Sequence, residues 1–219
     1  MPDLQAYTVG WICALFIESV AARAFLDEEH ATPDSVARHD NNSYILGKIG
    51  HHNVVIAVLP DGEYGTSSAA AVARDMLHSF PNVRIGLMVG IGGGAPSLKH
   101  DIRLGDVVVS SCDSGKGGVF QYDFGKTIQN RAFEETGFLD QPPMVLRTAV
   151  STLRGTYEMR GYQLADKVER ALKGIMKRKK YKRPDLLTDR LYKPDAIYLE
   201  ITDCCNITCK ASSLVARDD

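Results

Sequence analysis

The sequence predicts an α/β domain. Three observations carry that expectation: short apolar runs rich in Val, Ile and Leu, alanine-rich amphipathic stretches between them, and a glycine turn set at the end of one apolar run. The first run, Tyr7 to Leu15, has no breaker after Gly10 and reads as a buried strand. "ESVAARAFLDEE" (18–29) follows, and its alanines and the spacing of Val20, Phe25 and Leu26 predict a helix. "ATPDSVARHDNNS" has loop composition. "YILGKIGHHNVVIAVL" predicts two strands, 44–49 and 53–59, around a turn at Gly50, His51 and His52. Ser67 or Ser68 is placed to cap the helix "AAAVARDMLHSF", which Pro81 closes. Strands are expected again at Ile85–Gly90 and at Asp106–Ser111. Residues 114–140 have the length and glycine content of a functional loop or insertion, and 143–155 and 162–177 predict helices. Residues 156–219 as a whole read as an irregular, variable segment of a single domain, 1–219.

Composition narrows the function. A chain of 219 residues that is 44% hydrophobic can build a substantial core. Its formal net charge of -1 gives no electrostatic pull toward nucleic acid, and the basic run 177–183 reads as a solvated helix end. No apolar run reaches the roughly 18–20 residues of a membrane span. The N-terminus lacks a basic leader, so a signal peptide is not expected. Five cysteines leave an odd thiol, Cys13 and Cys112 sit in apolar surroundings, and a reducing, cytoplasmic setting fits. Cys204, Cys205 and Cys209 lack a second pair at zinc-site spacing, so no metal is expected.

Four places could carry chemistry. Gly92, Gly93 and Gly94 strip three side chains from the C-terminal end of a strand, the edge where open α/β sheets bind ligands. A loop and a further strand follow them instead of a helix, which excludes a dinucleotide fingerprint; packing alone is the competing explanation. Glu18, just past the first strand, suits either a general base or an ordinary first-turn helix acid. Gly65, Thr66 and Ser67 precede a helix, where exposed N–H groups make an anion site or simply a cap. Tyr122 and Phe124 in "QYDFGK" could stack on a base or anchor a loop. His51 and His52, on the hairpin turn, read as exposed.

Taken in order, "YTVGWICALFIESVAARAFLDEEH", "DNNSYILGKIG", "GTSSAAAVA", "LMVGIGGGAPSLKHDIRLGDVVVS" and "QYDFGKT" resemble the nucleoside phosphorylase superfamily. Within it they are most similar to the N-terminal phosphorylase-like domain of fungal multidomain proteins that continue into NTPase and repeat domains. The resemblance implies a three-layer α/β/α fold around a mixed sheet and cleavage of the N-glycosidic bond of a purine nucleoside or adenine nucleotide. It implies that Glu18 activates water, that Gly92 and Gly93 line the nucleoside site, that Gly65, Thr66 and Ser67 face ribose or phosphate, and that Tyr122 and Phe124 touch the base. No cofactor is implied; the partner would be a nucleoside or nucleotide, and a homo-oligomer is in keeping with the family. Phosphate-binding side chains of the family's phosphorylases fall at Met88 and Ile91, neither of which binds an anion, so water is favoured over phosphate as nucleophile. The family's later ribose-binding segment and its base-protonating aspartate have no counterpart before Asp219, and Glu200 stands in a different context. The resemblance therefore covers an apparently C-terminally truncated domain. It leaves a second reading beside hydrolysis: a catalytically inactive nucleotide-binding or assembly module. Phosphorolysis stands third.

Overall fold

The computed structural model describes residues 2–97, 100–112, 117–129, 133–185, 188–193 and 214–215. These fall into two compact units, Met1–Gly93 with Asp166–Lys182, and Gly94–Ala165 with Arg183–Asp219.

The first unit is a mixed five-stranded sheet in the order β2-β3-β4-β1-β5. Its strands are β1 (Val9–Cys13), β2 (Glu28–His30), β3 (Tyr44–Ile49), β4 (His52–Val58) and β5 (Ile85–Met88). β1 runs parallel to β4 and β5, while β3 is antiparallel to both β2 and β4. Two helices, α1 (Phe16–Ala24) and α2 (Thr66–Ser79), cover the sheet. The period-two alternation of a strand decides which residue meets which helix. Val9 and Cys13 of β1, with Val54 and Ile56 of β4, bury against Ala22 of α1. Ile12 of β1, with Val55 and Ala57 of β4, buries against Val72 and Met76 of α2. Each central strand is thus apolar on both faces, and the unit has a core above the sheet and a core below it. The α/β class with a mixed central sheet is what the sequence led us to expect.

Phe80 closes α2 and is 0% exposed. Its ring meets Tyr7 and Tyr44 edge-on, at centroid distances of 5.6 and 4.9 Å. A polar strap lies beside this cluster. Asp40 accepts from the hydroxyls of Tyr44 (2.7 Å) and Ser79, and the Ser79 oxygen accepts from the Ala37 amide (3.0 Å). Asn42 donates to the Tyr44 oxygen and to the Val72 carbonyl, at 2.8 and 3.0 Å. The long loop before β3 is therefore pinned to α2 by satisfied buried groups.

In the second unit, β6 (Phe120–Lys126) and β7 (Glu134–Phe138) form an antiparallel pair with a register shift between Gln121 and Gly125. α3 (Met144–Arg160) buries no residue. The unit boundary runs through a short amphipathic helix, α4 (Leu164–Lys173).

Several local expectations are corrected. α1 begins at Phe16, before Glu18, and ends at Ala24, because 28–30 pairs with β3 as β2. α2 begins at Thr66 with Gly65, at φ +98°, as its cap residue, so Ser67 and Ser68 lie inside the first turn. A residue at that φ needs glycine, and the chain supplies one. Residues 106–111 form no strand: they pair with no ladder among the described residues, and a strand without a neighbour leaves every backbone group to water. The expected loop 114–140 contains the β6–β7 hairpin. Cys204, Cys205, Cys209 and Glu200 lie outside the described residues.

Candidate functional site

The site lies where β1 and β5 end, at the C-terminal edge of the parallel strands. Glu18, the third residue of α1, is 9% exposed. Its Oε2 accepts from the backbone amides of Ala14 (2.8 Å) and Leu15 (2.9 Å). This is the acidic half of a capping box, the third-position carboxylate reaching back to the amide of the cap residue. Leu15, the cap residue, has no side-chain oxygen to return the favour. Oε1 turns the other way and accepts from the amide of Ile91 at 2.7 Å. One carboxylate thus ties the β1–α1 turn to the glycine turn, 73 residues along the chain.

The glycines of "GIGGG" have different causes. A Cβ at Gly90 would stand 2.6 Å from Glu18 Oε1 and 2.9 Å from its Cδ, so Gly90 is required by the carboxylate lying against it. A Cβ at Gly94 would meet Ile102 at 3.0 Å. Among the described residues an added Cβ at Gly92 or Gly93 would meet nothing within 4 Å, and neither residue has positive φ. Neither packing nor backbone strain accounts for them.

Cys13 lies at the end of β1, fully buried. Burial, with the Glu18 charge adding to it, pushes its thiol up to about 11, so it stays protonated and inert near neutrality. Met88 and Ile91 are 60% and 73% exposed and bring only apolar side chains to the rim.

The structure brings Glu18, Gly92 and Gly93 to one strand edge. Gly65, Thr66 and Ser67 form the start of α2 in the same unit, and the amides of Thr66 and Ser67 donate to no acceptor among the described residues. Tyr122 and Phe124 lie on β6, in the other unit, and their side chains are outside the described set. Gly90 is the residue that sequence reasoning passed over. Its signal was there, in a strand that ends on glycine immediately before the glycine run, but the reason for it is a carboxylate distant in sequence. Among the described residues no group of His, Cys, Asp and Glu is arranged to hold a metal, and no helix is long and apolar enough to cross a membrane.

No family model matches the chain, and no solved structure does. The chain is similar to a nucleotide-binding leucine-rich repeat (NLR)-like protein of the fungus Hyaloscypha variabilis, with 49% identity over 167 residues. The match takes in 76% of this chain and 16% of the relative, so the chain corresponds to a small part of that protein's length.

Proposed function

We propose that the chain is a nucleoside- or nucleotide-binding module of a multidomain NLR-like signalling protein, built on a phosphorylase-like domain of residues 1–219. The observation that carries the reading is the pair Gly92 and Gly93, whose missing side chains neither the protein's own packing nor positive φ explains. Glycines kept bare at the ligand-binding edge of an α/β sheet leave room for something other than the protein. The resemblance to the nucleoside phosphorylase superfamily names a nucleoside as that occupant, and the similarity to part of a nucleotide-binding leucine-rich repeat-like protein supports a place in a larger protein of that kind. Gly65, Thr66 and Ser67, in the same unit, are the residues proposed to face ribose or phosphate.

Hydrolysis of the N-glycosidic bond is the second reading, favoured by the placement of Glu18 beside the open glycines. The binding reading is preferred because three backbone amides take three of the roughly four lone-pair positions of the Glu18 carboxylate, a structural use that leaves Oε1 a single position for water. Exposed Met88 and Ile91 offer phosphate no donor from their side chains.

One experiment separates these readings. The chain is incubated with adenosine, inosine and ATP, with and without phosphate; its melting temperature is followed, and free base is separated by chromatography. A ligand that binds the native state raises the melting temperature by mass action. A rise without base release is the expected result. Base release without phosphate would establish the hydrolase instead, and no rise with any of the three would sink the binding reading.

A further inference from the structure

We infer that Glu18 is a positioning residue, which shapes the ligand-binding glycine turn through Gly90 and Ile91. The inference rests on the binding reading above only for its affinity readout; the geometry stands without it. Among the described residues the turn from Val89 to Gly93 is held to the unit by two hydrogen bonds. One is Val89 N–H to the Ile12 carbonyl (3.1 Å), which extends the β1–β5 pairing by one rung. The other is Ile91 N–H to Glu18 Oε1 (2.7 Å). The amides of Gly90, Gly92 and Gly93 donate to no acceptor among the described residues. Without Glu18 the turn beyond Val89 has no hydrogen-bonded anchor among the described residues. With it, the amides of Gly92 and Gly93, which have no acceptor and no close neighbour among the described residues, are suited to the hydroxyl or ring-nitrogen acceptors of a nucleoside.

The contact is also steric. The carboxylate lies against the Gly90 α-carbon so closely that a Cβ there would fall 2.6 Å from Oε1, 2.9 Å from Cδ and 3.0 Å from Oε2. Separations under about 3 Å between such atoms force a displacement. The side chain is short and bonded at both oxygens, so it cannot swing aside without losing either the Ala14 and Leu15 amides or the Ile91 amide. Gly90 and Glu18 are therefore one device: the acid holds the turn, and the missing side chain lets it do so.

A general-base role and a positioning role part company at Gly90, which has no ionisable group. Adenosine affinity is measured by calorimetry on the 219-residue chain and on Glu18→Gln, Gly90→Ala, Glu18→Ala and the double variant Glu18→Ala with Gly90→Ala. The amide signal of Ile91, which its 2.7 Å bond to Glu18 Oε1 is expected to move downfield, is followed by NMR. Glu18→Gln and Gly90→Ala are each expected to weaken adenosine binding at least tenfold and to move the Ile91 signal. In the double variant, Gly90→Ala should add almost nothing to Glu18→Ala, because the clash has gone; such non-additivity is the mark of contacting groups. Wild-type affinity in Gly90→Ala, or additive losses, would overturn the inference. If Gly90→Ala does not fold, Glu18→Asp answers the same question, since it keeps the charge but withdraws it from Ile91: weakened binding with a moved Ile91 signal supports positioning, and unchanged binding with a moved signal overturns it. If the wild-type chain binds no adenosine, the binding reading fails by itself. The Ile91 signal and the melting temperatures of the four variants then still decide whether Glu18 and Gly90 act as a pair.

Discussion

In the five-stranded unit, Val54, Val55, Ile56 and Ala57 are exposed by no more than 2% each, while in the other unit Val107, Val108 and Val109 are 65%, 69% and 56% exposed. The two segments have nearly the same composition and equal strand propensity. They differ in what surrounds them. β4 lies between β3 and β1, with α1 on one face and α2 on the other, so the side chains of Val54 to Ala57 are covered and their backbone groups pair on both sides. The valines after Gly105 have no ladder among the described residues. Strand propensity measures how well a residue fits a pleated, half-buried surface, and without the surface it decides nothing.

The strongest way to test this contrast is to remove apolar bulk from both units. Phe80→Ala deletes a fully buried ring that touches Tyr7 and Tyr44, and should cost about 3–5 kcal/mol. That is a large share of a domain's usual 5–15 kcal/mol, roughly. Val108→Ala should stay within about 0.5 kcal/mol, as exposed substitutions do. Urea unfolding of the two variants checks both values. Similar losses would mean that Val108 is covered in solution and that the contrast is false.

A smaller effect is expected from the strap that joins the loop before β3 to α2. Asp40→Ala leaves the hydroxyls of Tyr44 and Ser79 without their shared acceptor and should cost about 1–3 kcal/mol. Limited proteolysis provides a second readout: cleavage between residues 31 and 43 should speed up in this variant, while cleavage within α3 should not change. An unchanged cleavage pattern would show that the loop is held by something other than Asp40.

The sequence showed the sheet more clearly than the site. β1, β3 and β4 are legible because continuous apolar runs bounded by Gly, Asn and Asp have few other solutions. β2 is not, since "EEH" has neither apolar character nor alternation; it exists because β3 offers an edge and because Asp27 accepts from the Gly50 amide at 2.7 Å across the hairpin. The strand expected at 106–111 fails for the opposite reason, having local preference without a ladder among the described residues. At the site, Glu18 and the glycine run stand out in the sequence, but the distinction among Gly90, Gly92 and Gly93 does not. That distinction is a matter of distances between residues far apart in the chain, and spacing carries no trace of it.

The pH dependence of stability sharpens the contrast, because buried phenols occur in the first unit's core. Burial and then the Asp40 hydrogen bond raise the Tyr44 hydroxyl above its ordinary 10.0, and burial raises Tyr7 as well. A raised value in the folded state means that folding favours the protonated form. The contribution is fully present below the unfolded value near pH 10 and is lost as the pH climbs through the folded one. Unfolding free energy measured from pH 8 to pH 11.5 should therefore fall at the alkaline end, and Tyr44→Phe should flatten that fall. An equally steep fall in Tyr44→Phe would assign the loss to other groups.

The smallest expected effect belongs to a contact that is among the shortest in the molecule. Arg23 and Glu29 form a two-pronged pair with bonds of 2.6 and 2.5 Å, shorter than the roughly 2.7–2.9 Å usual for a guanidinium and a carboxylate. Both side chains are nevertheless about half exposed, at 53% and 45%, and water competes for each charge. Geometry of this quality on a surface is worth about 0–1 kcal/mol, and salt reduces it further. Arg23→Ala should lower stability by no more than that, and the loss should shrink as sodium chloride rises from low concentration to 1 M, with its roughly 3 Å screening length. A loss several times larger and indifferent to salt would mean that the pair braces β2 against α1 through packing of the arginine stem. In that case the edge of the sheet, and not only its two-sided centre, would contribute substantially to the stability of the first unit.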